Sequence, residues 1–517
     1  MNVDRLEAAA RVLPRAYPGP GGAVAVLRAG EVLLRHAWGF ANAECRIRFT
    51  PATLFRLCSI TKQFTCAAVL DAFPDPSVLD ADVSARLPRL TQAAPRALHL
   101  CHNQSGLRDY WAVAMLHGSP VEAAFGDDEA ARVIAGTRTL QFVPGTRASY
   151  CNQNFRMLSD VLQKRRGRSF AELLRTSVFE RAGMATAFLA ADTRAMPDGT
   201  EGYEGTPASG FRAAKNRIVW TGDAGLGASL DDMIAWERHI DATREDPGSL
   251  YCRLGAPVGF GDGSPAQYGF GLGRRAEFGR PATAHGGALR GWRSHRVHLA
   301  EERISVVVLF NHMADARQAA MDLLAALLDE SPAESGEEAA DPAWLGAYLE
   351  PETGLLARVD MQRPGRVRLR FGHIPDVLTL QADGSASDGG VTLRPEGDGL
   401  RMERADERLS SVLVARRGEA EADFAGAYRS AELEAELRLE DAGGALYGAF
   451  AGFLGAGRME LLEPVAPDLW TLPCPRALDH TPPGDWTLAV RRDGTGRAAG
   501  IEVGCWLARG LVYERVG

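Results

Sequence analysis

Two residues three positions apart, Ser59 and Lys62, are where this chain could do covalent chemistry. They lie in Phe55-Arg56-Leu57-Cys58-Ser59-Ile60-Thr61-Lys62-Gln63-Phe64-Thr65-Cys66-Ala67-Ala68-Val69-Leu70, an apolar stretch with helical character. Residues three apart share a helix face, so the hydroxyl and the amine can meet. A serine at a helix N-terminus also turns its own backbone N–H outward, half of an oxyanion hole. A neutral lysine in apolar surroundings can take the serine's proton. The plain alternative is a capping serine with a lysine snorkelling to water one turn on. Composition singles out the lysine. Of 58 basic residues only Lys62, Lys164 and Lys215 are lysine, leaving 58 − 3 = 55 arginines. A lysine kept in such a background marks a place where an amine able to lose its proton is needed. Lys164 sits in the basic run Gln163-Lys164-Arg165-Arg166-Gly167-Arg168 and Lys215 in a polar loop, so Lys62 is the candidate.

Two more segments carry polar groups of the right kind. Ser149-Tyr150-Cys151-Asn152 follows Pro144-Gly145 in a turn-rich stretch, and Ala284-His285-Gly286-Gly287-Ala288 precedes an apolar strand. Taken singly, Tyr150 reads as a half-buried aromatic and His285 as a surface histidine.

The elements that must position these groups alternate between helix and strand over residues 1–330. A short amphipathic helix (4–15) leads to a hairpin, Gly22–Leu27 and Glu31–Leu34 around Arg28-Ala29-Gly30. Asp231–Ala242 has helical spacing, Ile304–Phe310 is a β-branched run typical of a buried central strand, and 314–329 is again helical. The first and last strands are expected in one sheet. Composition then changes at the acidic linker Ser331-Pro332-Ala333-Glu334-Ser335-Gly336-Glu337-Glu338. Beyond it come short alternating strands such as Val367–Phe371 and Trp486–Val490, divided by the charged stretch Arg416–Asp423. Trp344-Leu345-Gly346-Ala347-Tyr348 recurs as Phe424-Ala425-Gly426-Ala427-Tyr428, which reads as two related small β-domains. The expected organisation is α+β and multidomain. A catalytic domain with helices around an antiparallel sheet (1–330) precedes two small antiparallel β-barrel domains (331–417 and 418–517).

A net charge of −8 disfavours a nucleic-acid partner. No apolar run of about 18 residues offers a membrane span. The acidic start MNVDRLEAAARVL does not read as a secretory signal, and eight cysteines without a CxxC pair read as cytoplasmic thiols. No metal is expected, since His-Glu-x-x-His is absent and the 11 histidines show no ligand spacing. No lysine follows glycine or precedes Ser/Thr, so there is no Walker-type phosphate loop, and no Gly-x-Ser-x-Gly elbow occurs.

Taken together and in order, Ser-x-x-Lys at Ser59 and Lys62, Tyr-x-Asn at Tyr150 and Asn152, and His-x-Gly at His285 resemble the three motifs of the penicillin-recognising serine hydrolases, which include class C β-lactamases and D-stereospecific peptidases. Asn103-Gln104-Ser105-Gly106-Leu107 is similar to a turn of that family. Cys58-Ser59, His285-Gly286-Gly287, Tyr447-Gly448-Ala449-Phe450 and Gly504-Cys505-Trp506-Leu507-Ala508-Arg509-Gly510 extend the likeness over the whole chain, toward the bacterial D-aminopeptidase family. The resemblance implies a β-lactamase-like catalytic domain with Ser59 as nucleophile, Lys62 and Tyr150 sharing the proton work, and His285 in the third catalytic position. It implies an oxyanion hole from the backbone N–H groups of Ser59 and Ala288, with Asn152 orienting the substrate amide. It places a specificity loop of the last domain at 475–485, where Asp479 binds the substrate ammonium. The loop here is proline-rich where the family's is glycine-rich.

Where carboxypeptidases and β-lactamases of the superfamily carry Lys-Thr/Ser-Gly, this chain has His285-Gly286. A fixed cation becomes titratable and a hydroxyl is lost, which weakens capture of a substrate carboxylate and fits a substrate presenting its amino end. The expected activity is hydrolysis of an N-terminal D-residue, D-alanine foremost, from peptides, amides and esters through an acyl-enzyme. No cofactor is needed, β-lactams are candidate inhibitors, and the protein is a homodimer by resemblance. A broad esterase or β-lactamase-like hydrolase, and a non-catalytic penicillin-binding sensor, are the alternatives. Cys58 and Cys151, beside Ser59 and Tyr150, are expected to make the site sensitive to bulky thiol reagents. Arginine stays protonated and cannot act as a base, so Lys62→Arg should be nearly inactive in steady-state assays, whereas Lys164→Arg and Lys215→Arg should match wild type.

Overall fold

The computed structural model describes residues 2–120, 122–330, 343–372, 374–474 and 484–516. The N-terminal and late strands of the catalytic domain share one eight-stranded antiparallel sheet. Its order runs Tyr268–Gly269, Leu272–Glu277, Arg280–Leu289, Trp292–Leu299, Ile304–Phe310, Gly21–Arg28, Glu31–Asn42 and Ile47–Arg48. Ile304–Phe310 is central and buried along its whole length, with Val24 opposite Val308 and Val26 opposite Val306. Its alternating residues face two different cores. Val306 and Val308 join Leu6, Leu13, Leu323 and Leu327 from the helices Val3–Ala16 and Ala316–Leu328. Val307 and Leu309 face the larger core that contains the helix Thr61–Ala72. A strand buried on both faces has no polar side, which is why this segment reads as an unbroken apolar run.

Ser59 sits where strand becomes helix. Phe55–Arg56 pairs with Leu226–Ala228, and Leu57 N–H donates to the Leu226 carbonyl at 2.9 Å. Cys58 then takes φ 53°, and a 3₁₀ turn Cys58–Ile60 runs into the helix Thr61–Ala72. A left-handed non-glycine residue costs on the order of 1–3 kcal/mol and persists only where its surroundings hold it. Here the Thr61 hydroxyl donates to the Cys58 carbonyl at 2.6 Å and Arg56 donates to the carbonyls of Ala190, Asp192 and Ala195.

After the catalytic domain, strands between Gly346 and Arg416 form a closed eight-stranded antiparallel barrel around Val367, Leu369, Leu378 and Leu413. The last domain, Gly426–Arg515, builds the same kind of antiparallel surface as an open ten-stranded sheet, a half-barrel. The sequence repeat is a structural repeat. Tyr348 donates to the Trp344 carbonyl and Tyr428 to the Phe424 carbonyl, both at 2.6 Å, and Gly346 and Gly426 have φ 151° and 150°. Only glycine enters that region freely, so each copy keeps one before its tyrosine.

A buried ion pair ties helix to sheet behind the site. Arg296, opposite His285 in the neighbouring strand, donates to both oxygens of Glu237 on the helix Leu230–Ala242 at 2.7 Å, and both side chains are fully buried. The Ser305 hydroxyl and the Arg296–Tyr251 bond complete the cluster. Arg296→Met alone strands a buried carboxylate and should lower unfolding free energy by about 3–5 kcal/mol in urea titration, with Glu237→Leu added to it recovering most of the loss.

Candidate active site

Lys62 is wholly buried and donates to three acceptors: Ser59 Oγ at 3.0 Å, Asn152 Oδ1 at 2.8 Å and the Asp223 carbonyl at 2.8 Å. Tyr150 donates its hydroxyl to the same Ser59 Oγ at 2.7 Å. The two motifs separated by some ninety positions in the chain thus meet on one serine oxygen. Lys62 Nζ also lies 4.8 Å from the Tyr150 ring centroid. Burial pushes the lysine down to about 8, against the pull of Asp223 and Asp109. Burial pushes the Tyr150 phenol well above its ordinary range, only partly offset by its bond to Ser59.

Asn152 begins the helix Asn152–Arg166, so its place depends on how that helix starts. Its backbone N–H is accepted by Asp109, whose other oxygen accepts the N–H of Trp111 at 3.0 Å at the start of the helix Tyr110–Leu116. One buried carboxylate therefore caps two helices. Burial raises Asp109 to about 6 in spite of the two N–H bonds it accepts and the nearby Lys62. Asp223 accepts from the Tyr110 hydroxyl. Asp109 and Asp223 were not singled out in the sequence. Asp109 had a signal, two residues past the Asn103–Leu107 turn, whereas Asp223 in Thr221-Gly222-Asp223-Ala224-Gly225 had none.

The third motif lies on the strand Arg280–Leu289, whose pairing with Leu272–Glu277 ends at Ala284 opposite Gly273. From His285 onward the strand no longer pairs with Leu272–Glu277. The strand presses on the serine turn at Gly287. A Cβ there would fall 2.3 Å from the Leu57 carbonyl oxygen and 3.0 Å from Cys58 Cβ. The Ser294 hydroxyl, bonded to the Leu57 carbonyl at 2.9 Å, fixes the same contact from the next strand. Ala288, one residue on, is half-buried beside the turn that bears the Ser59 N–H.

His285 is buried rather than superficial, and its bonds run to Tyr268 (Nε2 to OH, 3.0 Å) and to the Gly286 carbonyl (Nδ1, 2.5 Å). A carbonyl partner requires the proton on Nδ1, so Nε2 accepts from Tyr268. Burial, with Lys62 adding to it, lowers the imidazole to about 3. The titratable cation expected at this position is therefore a neutral, doubly bonded ring at neutral pH. Cys58 and Cys151 are both buried, and burial followed by Asp109 pushes the Cys151 thiol up, which corrects the expectation that they are open to bulky reagents. Asp479 and residues 475–483 of the specificity loop lie outside the described residues. Among the described residues, no group of three or more His, Cys, Asp or Glu is arranged to hold a metal, and no helix is long and apolar enough to cross a membrane.

A buried Ser–Lys pair with a tyrosine on the serine, set between a helical region and an antiparallel sheet, defines a serine hydrolase of the β-lactamase-like class. The β-lactamase family model matches residues 6–330, and the model described as D-aminopeptidase, domain B matches residues 337–514. A D-aminopeptidase of Gluconobacter oxydans (strain 621H) is 61% identical over 521 residues, spanning 99% of each chain. A D-aminopeptidase of Brucella canis is 48% identical over 517 residues, spanning 100% of each. The chain belongs to the D-aminopeptidase family. Solved structures share the fold. The octameric penicillin-binding protein homologue from Pyrococcus abyssi gives a TM-score of 0.55 at 20% identity, over 80% of this chain and 100% of that one. The D-amino acid amidase from Ochrobactrum anthropi SV3 gives 0.52 at 17%, over 63% and 99%.

Lys62 supplies a pH test. With its neutral form acting as the base, acylation of Ser59 by a fluorophosphonate, which has no titrating group of its own, should speed up as pH rises through about 8 and level off above it. Below that, the rate should fall about tenfold per pH unit, read by intact mass.

Proposed function

We propose that this protein is a serine peptidase that releases an N-terminal D-residue, D-alanine foremost, from short peptides, amides and esters. The bonding of Lys62 carries the reading. Of its three partners, the Asn152 oxygen and the Asp223 carbonyl can only accept, so both must keep a proton facing them. When the ammonium loses a proton, the lone pair is left facing Ser59, the one partner able to donate. The base is aimed at the nucleophile by elimination of the alternatives.

In acylation, Ser59 Oγ bonds the scissile carbonyl carbon and its proton passes to Lys62. The oxyanion takes the backbone N–H groups of Ser59 and Ala288. The C–N bond breaks, and the leaving nitrogen takes the proton of Tyr150, a phenol that burial keeps protonated. The proton gained by Lys62 replaces the one Tyr150 gives up, so the net transfer is from serine to leaving amine. Water then cleaves the ester and restores Ser59. Asn152 presents its carbonyl end to Lys62, leaving its NH₂ end for a substrate carbonyl. A neutral His285 offers no cation to a substrate carboxylate, which supports a substrate bound by its ammonium, with Asp479 as the anion by family resemblance. β-Lactams enter the same scheme as acylating inhibitors. The eight free thiols support a cytoplasmic setting, and the homodimer inferred from the family is checked by sedimentation.

D-alanyl-p-nitroanilide should be cleaved by wild type and not by Ser59→Ala. The L-isomer and N-acetyl-D-alanyl-p-nitroanilide should be turned over at least about a hundredfold more slowly. Equal rates for the two stereoisomers, or full activity in Ser59→Ala, would sink the proposal.

A further inference from the structure

Tyr150 lies against a ring from the last domain, and a barrel residue holds both that ring and the loop before the tyrosine. The Trp506 indole of the last domain lies nearly parallel to the Tyr150 ring, centroids 6.2 Å apart and planes 12° apart, within the range of interacting aromatic pairs. Its Nε1 donates to Glu407 Oε1, in the barrel, at 3.0 Å. The backbone carbonyl of the same Glu407 accepts the N–H of Ala148 at 3.3 Å, two residues before Tyr150. One barrel residue therefore grips both the loop that carries the tyrosine and the ring that lies against it.

The grip is itself held. Glu407 is 5% exposed and accepts from Arg404 at 2.8 Å and Arg509 at 2.6 Å. Burial works to raise its carboxyl, but Arg509 and Arg404 outweigh burial and hold it at about 2. The turn bearing Trp506 is fastened to the catalytic domain as well. Asp109 N–H donates to the Leu507 carbonyl at 2.9 Å, and Arg108 donates to the Arg509 carbonyl at 2.8 Å. Asp109 is the residue that caps the Asn152 helix, so this turn meets Tyr150 through Trp506 and the start of the Asn152 helix through Asp109.

We propose that Trp506 and Glu407 are positioning residues for Tyr150, so that protonation of the leaving group depends on all three domains. The inference rests on the reading of Tyr150 as proton donor. In the step concerned, the substrate C–N bond breaks and its nitrogen takes the Tyr150 proton. A displacement of the donor of about 1 Å is enough to lose most of such a contribution.

The test compares leaving groups that need a proton with leaving groups that do not. In Trp506→Ala, kcat for D-alanyl-p-nitroanilide should fall about tenfold or more with KM within about threefold, while kcat for the D-alanyl p-nitrophenyl ester, whose phenolate departs unprotonated, stays within about threefold. Trp506→Phe keeps an aromatic plate but loses the bond to Glu407, and Glu407→Gln disturbs the anchor. Both should shift the amide-to-ester ratio in the same direction by less. If Glu407→Gln fails to fold, the two Trp506 variants carry the test. An unchanged anilide rate in Trp506→Ala, or equal losses on anilide and ester, overturns the proposal. If wild type cleaves neither substrate, the functional reading has failed. The same ratio is then read by intact mass, from Ser59 acylation by benzylpenicillin, whose ring nitrogen needs a proton, against a fluorophosphonate, whose fluoride does not.

Discussion

An amine with no access to water must have every proton placed by the protein, and the fold around Lys62 meets that demand. Burial costs the ammonium its hydration, which is why its affinity for a proton drops to about 8. Three acceptors replace the lost water, and two of them are carbonyl oxygens, which can only accept. The same desolvation that lowers the lysine's affinity for a proton raises that of Tyr150, so one apolar pocket shifts two groups on one serine oxygen in opposite directions. Asp109 and Asp223 offset part of the lysine's desolvation, as the buried setting requires.

That arrangement explains features of the backbone that would otherwise look costly. Cys58 is held in a left-handed conformation so that Ser59 leaves the strand and enters the helix with its hydroxyl toward Lys62. Gly287 must lack a side chain because its strand runs against the serine turn, where a Cβ would strike the Leu57 carbonyl. The helix carrying Asn152 is started by a carboxylate from another segment, which converts a cap into a positional constraint on the lysine. The C-terminal domains join the same network through Leu507 and Glu407.

Much of the architecture was legible from pattern. The hairpin around Ala29-Gly30, the central strand Ile304–Phe310 and the helix ending at Ala242 follow from periodicity and turn residues, because local burial alone dictates them. The repeat of Trp344–Tyr348 at Phe424–Tyr428 was visible because both copies need a glycine and a tyrosine at the same spacing for the same hydrogen bond. Whether a strand set closes is a different matter. The barrel closes and the last domain stays open, a difference decided by pairing between distant strands rather than by the alternation within each.

By itself the sequence determined the chemical types: a lysine where arginine is the rule, a serine three residues before it, and Tyr-x-Asn and His-x-Gly further on. Helix spacing is local, so the meeting of Ser59 and Lys62 was inherent in the chain. Tertiary structure decided the protonation states and the aim of the groups. His285 is neutral because it is buried and bonded at both nitrogens, which no motif reveals. Asp109, Asp223, Glu407 and Trp506 reach the site from four separate segments, and desolvation depends on what surrounds a group in space rather than on what adjoins it in the chain.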